Sequence, residues 1–282
     1  MSYHRIYKYT SIGRPLEPAA YPTNKAVLIL LPLAAAVGAI TTWLAGGQAL
    51  QILQAAISFL LIAFGSWALA RELFPDDNPA AFVSMVLALL AALSFDSPGI
   101  LILFATLGLV RIVNRSTGMA ARLSDSIVVM LLAFWVIYAT QSPFYGAVAA
   151  LAFIFDGSLK DPLRHQWVFA LICFGGMIVY MVDHNVGLSY FSAPDSLIEW
   201  LALIALVILA LDMFLLKKVR SGADLNGQTL DLTRVKGGMA IGLLAAFQGL
   251  AVLENVILLV AAVAGIAFGM AFRKAFQVPA SG

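Results

Sequence analysis

From residue 26 to residue 272 the sequence is a series of long apolar runs, each broken by a short polar connector. A bilayer-spanning helix needs roughly 17–25 mostly apolar residues, because only a helix or a closed barrel satisfies its own backbone in hydrocarbon. A barrel would show alternating segments of about ten residues. The runs here are continuous in Leu, Ala, Ile, Val and Phe and therefore read as helices. They lie at about 26–44, 50–70, 80–95, 100–110, 126–140, 144–155, 167–182, 197–216, 237–250 and 256–272. The sixth is short, and a crossing helix is preferred there to a re-entrant one. The expected fold is all-α: a polytopic integral membrane helical bundle of about ten transmembrane helices. A tail of residues 1–25 precedes the transmembrane domain (26–272) and a tail of residues 273–282 follows it. Two five-helix halves, 26–141 and 143–272, would be inverted relative to one another, a frequent transporter plan.

Composition enters as an exclusion. Only 11% of the 282 residues are charged and 62% are hydrophobic, against roughly 25% charged in a soluble domain. Too few polar side chains remain to cover a soluble surface. A soluble enzyme, a disordered chain and a nucleic-acid binder are excluded. The single cysteine, Cys173, lies in an apolar run, so no disulfide framework and no Cys-based zinc site is expected. No metal and no cofactor is expected.

The charges that remain are strongly ordered. Lys and Arg occur in the N-terminal tail (Arg5, Lys8, Arg14, Lys25) and after the second run (Arg71). They recur after the fourth (Arg111, Arg115, Arg122), sixth (Lys160, Arg164) and eighth (Lys217, Lys218, Arg220, Arg234, Lys236), and then in the C-terminal tail (Arg273, Lys274). The intervening connectors hold none. Under ten crossings every basic residue falls on one face, and the positive-inside rule makes that face cytoplasmic, with both termini inside. The opposite face carries Asp96, Asp183, Asp195, Glu199 and Glu254. The expected location is a bacterial or archaeal plasma (inner) membrane.

Several polar residues are candidates for chemistry. Asp212 lies inside the eighth run, where a carboxylate is costly and generally faces the bundle interior or water. It reads as a coupling carboxylate, with Gln141 and Gln248 as lining groups, or as an interfacial acid paired with Arg111 or Lys217. A second set gathers in the basic connectors: Asp76, Asp77, Arg115, Asp156, Asp161 and Arg164. If those loops converge, arginines could clamp a phosphate group and acids a divalent ion. These acids lack the repeated Asp at i, i+4 of membrane prenyltransferases. Asp156-Gly157 continues as Ser-Leu-Lys-Asp, unlike the signature of the CDP-alcohol phosphotransferases. Gly238/Gly242 and Gly265/Gly269 are small-residue pairs suited to close helix packing within the chain or in a dimer. Three functional readings follow. The first is a small-molecule transporter or permease. The second is a membrane-embedded enzyme acting on a lipid or phosphate-bearing substrate at the cytoplasmic face. The third is a non-catalytic membrane assembly subunit. The expected partners are the lipid bilayer and a small-molecule or lipid ligand, with helix–helix dimerisation or a membrane complex in the third case, and no nucleic acid.

Overall fold

The structure, a computed structural model, describes residues 5–19, 22–95, 99–186 and 193–276. Each apolar run is occupied by a helix: α1 (Pro22–Leu44), α2 (Ala49–Leu73), α3 (Asn78–Ser94), α4 (Ile100–Asn114), α5 (Leu123–Thr140), α6 (Tyr145–Ser158), α7 (Gln166–Asp183), α8 (Leu197–Leu215), α9 (Leu232–Gly249) and α10 (Leu253–Phe276). The described residues form no strand beyond an isolated bridge between Gly222 and Thr229. By length and composition α1, α2, α5, α7, α8 and the continuous α9–α10 stretch are apolar and long enough to cross a membrane. The helices α3, α4 and α6 have 17, 15 and 14 residues. An all-helical chain with six such spans is compatible with an integral membrane protein.

Local chemistry sets several helix starts. The Asp77 carboxylate accepts the Ala80 N–H, and Pro79 occupies the first turn of α3, where its missing N–H is harmless. Asp231 accepts the N–H groups of Thr233 and Arg234 at the start of α9, and Ser196 caps α8 through Glu199 N–H. At α5 the N-cap residue, Arg122, makes no side-chain cap. The helix begins at Leu123 after Arg122, and Asp125 in its first turn instead accepts hydrogen bonds from Ser11. Asp96, counted above on the acidic face, lies outside the described residues.

The core draws heavily on α4, α6 and α10. Tyr145 and Phe153 of α6 are fully buried, and the Tyr145 hydroxyl meets Thr106 Oγ1 at 2.9 Å. Gly265 and Gly269 let α10 approach α3 so closely that an added Cβ would stand 2.6 Å from the Cα of Ser84 and of Ala80. Gly238 and Gly242 are likewise taken up by Asn114 and Leu73. Both glycine pairs therefore serve packing within the chain. By contrast α1, α5, α7 and α8 turn large apolar side chains outward, among them Leu33, Trp43, Trp135, Leu171 and Phe214. Such surfaces suit contact with lipid tails.

Three helices run past the charges at which their apolar runs end. Helix α2 continues through Arg71 and Glu72, α4 through Arg111, and α9 begins at Leu232, ahead of Arg234. A charge stops a helix at a membrane surface only if it must reach water. Here Glu72, Arg111 and Arg234 find partners outside their own helices, so these charges can stay inside.

Candidate functional site

All the basic connectors meet at one end of the bundle, held together by ion pairs and hydrogen bonds. Glu72, 2% exposed at the end of α2, is the hub. Its Oε1 accepts from Arg14 Nη1, Arg111 Nε and Ser116 Oγ, all at 3.0 Å. Its backbone carbonyl accepts Asn114 Nδ2 at 2.8 Å. Arg14 reaches on from Glu72 to Asp224 in the connector after α8, with Nε and Nη2 each 2.7 Å from a carboxylate oxygen. Burial alone would lower the Arg14 guanidinium; the Glu72 and Asp224 carboxylates outweigh it and hold the group above its ordinary value.

Residues 5–19 are folded onto this end. Arg111 Nη1 donates to Ile12 O at 3.0 Å, Thr117 Oγ1 to Ser11 O at 2.6 Å, and Arg122 to the carbonyls of Tyr7 and Lys8. Tyr7 is buried and hydrogen-bonded to Asp224; burial first, then the charges of Asp224 and Glu17, push its phenol up to about 12.

A second knot lies beside the first. Asp156, fully buried in α6, accepts Arg115 Nε and Arg234 Nη1 at 2.8 Å and Gln166 Nε2 at 3.1 Å. Arg234 also donates to the Lys160 carbonyl. Asp76 accepts the N–H groups of Arg220 and Ser221 at 2.8 and 2.9 Å, and Asp77 accepts Arg273 Nε at 2.7 Å. The connectors after α2, α4, α6 and α8, the N-terminal segment and the end of α10 are thereby joined.

Between the first knot and the adjoining turns of α2, α9 and α10 lies a cavity of about 1070 Å³. Its deeper wall is apolar and aromatic, with Phe64 and Trp67 on α2, Met239 on α9 and Met270 on α10. Its mouth is charged, with Arg14, Arg71, Lys218, Arg220 and Arg273 set among Glu17, Glu72, Asp76, Asp77 and Asp224. That combination suits an amphiphile with an anionic head.

The sequence candidates divide around this cavity. Asp76 and Asp77 line it. Asp156 and Arg115 are locked together in the second knot, while Asp161 and Arg164 are exposed; none of these four lines the cavity. Among the described residues no three His, Cys, Asp or Glu side chains gather as metal ligands. Asp212 does not line the cavity either. Its partner is neither Arg111 nor Lys217 but Lys274, 3.4 Å away at the end of α10. Gln248 is tied to Ser142 and Ala245. Gln141 lines a smaller pocket with Tyr138, Tyr180 and His184. The sequence reading did not single out Arg14, Trp67, Asp224 or Arg273 for this site. Of these only Arg14 and Arg273 carried a hint, as basic residues of the two tails.

Comparison of the chain with protein-family models, with curated proteins and with solved structures returned no match.

Proposed function

We propose that this is a multi-pass membrane protein of ten crossings, both ends cytoplasmic, that takes an amphiphilic, phosphate-bearing ligand into the cavity at its basic end. The observation that carries the reading is the cavity itself, with an aromatic and methionine-rich depth beneath a mouth of arginines. A lipid in the cytoplasmic leaflet presents the same order, tail inward and anionic head at the surface. The joining of every basic connector at one end supports the orientation, because those connectors must then share a face.

This reading is preferred to a permease built on Asp212, Gln141 and Gln248. A translocation path would thread its polar groups together, whereas these three have separate local partners or pockets. It is also preferred to metal-bridged chemistry, which needs Asp76/Asp77 and Asp156/Asp161 around one ion.

Native mass spectrometry tests it. The protein is released from nanodiscs holding equal amounts of phosphatidic acid and phosphatidylcholine. Preferential retention of one phosphatidic acid is expected, and Leu216→Trp, which narrows the cavity, is expected to reduce it. Equal retention of both lipids, or retention indifferent to Leu216→Trp, overturns the reading.

A further inference from the structure

Most charges around the cavity are already engaged. Arg14 and Arg111 are held by Glu72, Arg14 also by Asp224, and Arg273 by Asp77. Asp76 is taken by the backbone of Arg220 and Ser221. Among the helix-borne arginines of the lining, Arg71 is the exception. Its electrostatic neighbours are Arg14, Glu72, Asp224 and Asp76, yet its Nη1 is enclosed and no acceptor among the described residues reaches it.

One turn earlier on α2, at i−4 and so on the same helix face, stands Trp67. It is only 6% exposed and its ring lines the cavity. Its Nε1–H is also enclosed, with no acceptor among the described residues. A buried N–H donor is nearly always paired in a folded protein. Here two donors from adjacent turns go unpaired beside one cavity, and one of them carries a full positive charge. Indole N–H only donates, and guanidinium only donates. A group that completes the pair is an acceptor, and the Arg71 charge favours an anionic one.

We propose that Trp67 and Arg71 form the oxyanion subsite of the cavity, taking a phosphoryl group through Trp67 Nε1–H and the Arg71 guanidinium. The inference rests on the ligand reading above and assigns its headgroup. A guanidinium offers forked donors matched to phosphate oxygens. Lys218 and Arg220, exposed at the mouth, add charge for a doubly charged head. The Trp67 ring and Phe64 then flank whatever chain the phosphate carries. The same chemistry admits a lipid phosphate or a soluble phosphate compound.

The test uses the full chain in phosphatidylcholine nanodiscs with 15N-labelled tryptophan indoles. Trp67→Phe assigns the Trp67 resonance. If that variant does not fold, single Phe substitutions of Trp43, Trp135, Trp167 and Trp200 assign it by elimination. Phosphatidic acid in the nanodisc and inorganic pyrophosphate in solution are the two probes. The Trp67 N–H resonance is expected to move downfield with at least one of them. Movement with phosphatidic acid alone identifies a lipid source; movement with pyrophosphate alone, or with both, identifies a site open to soluble phosphates. Arg71→Gln is expected to weaken the titration roughly tenfold or more, and Arg71→Lys less. If the Trp67 resonance moves with neither probe while the wild type still retains phosphatidic acid in the mass spectrometer, the subsite is overturned and the ligand reading stands. If it moves with neither and nothing is retained, both fall.

Discussion

Glu72 concentrates the chemistry of the basic end on one carboxylate. It is buried, and two guanidiniums depend on it for compensation. Glu72→Gln keeps its shape but leaves Arg14 and Arg111 short of negative charge. Breaking a buried pair by removing one partner costs about 3–5 kcal/mol, and thermal unfolding in detergent is expected to register a loss of that order. Lys274→Met supplies the contrast. The Lys274 side chain is 59% exposed and 3.4 Å from Asp212, so its removal is expected to cost under about 1 kcal/mol. Tyr7 gives a pH signature. Its phenol is raised from 10.0 to about 12, so the folded state holds the proton more tightly than the unfolded chain. The stability this contributes is fully present below pH 10 and is lost as pH rises through about 12. Tyr7→Phe is expected to flatten that alkaline limb of a melting-temperature profile. Little of this was legible in the sequence. Arg111 was visible as one of the basic connector residues, but its partners, like those of Glu72, lie 39 to 99 positions away along the chain. Nothing local marks a contact of that range.

At the scale of elements the sequence spoke most clearly, for a physical reason. An apolar run long enough to need a lipid or protein cover is visible in any window, and each of the ten runs holds a helix. The helix ends were less legible. A charge such as Glu72 reads as a stop when its partners are hidden, and α2 continues to Leu73 because Arg14 and Ser116 come to Glu72 from elsewhere. The glycine pairs were legible as close contacts but not as to their partner. That partner is now specific: Gly269→Val would drive a side chain into the backbone of α3 at Ala80. Overpacking of this kind costs typically about 1–3 kcal/mol. Gly175→Ala, on α7 with nothing within 4 Å of the added Cβ, is expected to be neutral or slightly stabilising, since alanine is the better helix former. Unfolding of the two variants side by side checks the pair. No loss in Gly269→Val would contradict the α3–α10 packing, and a large loss in Gly175→Ala would contradict the open space beside α7.

At the scale of the whole molecule the decisive element is α6. Its 14 residues span about 21 Å at 1.5 Å per residue, short of a hydrocarbon core of roughly 30 Å. A helix that short is untenable alone in lipid, but α6 is not alone. Tyr145, Ala149, Ala152 and Phe153 are fully buried among neighbouring helices, and polar backbone at membrane depth is tolerated where protein encloses it. At its far end Asp156 and the Lys160 carbonyl are bound by Arg234 of α9, tying the connector after α6 to the one after α8. The ten-crossing proposal therefore makes a sharp demand on Lys160. In a Cys173→Ser background, Lys160→Cys and Lys217→Cys are expected to react with a membrane-impermeant maleimide only after the cells are permeabilised. Ala45→Cys and Asp183→Cys, in the connectors without basic residues, are expected to react in intact cells. All four positions are exposed, so silence at any of them cannot be put down to burial in the fold. If Lys160→Cys reacts in intact cells, α6 turns back within the membrane, the basic connectors no longer share a face, and the proposed orientation of the cavity toward the cytoplasm goes with them.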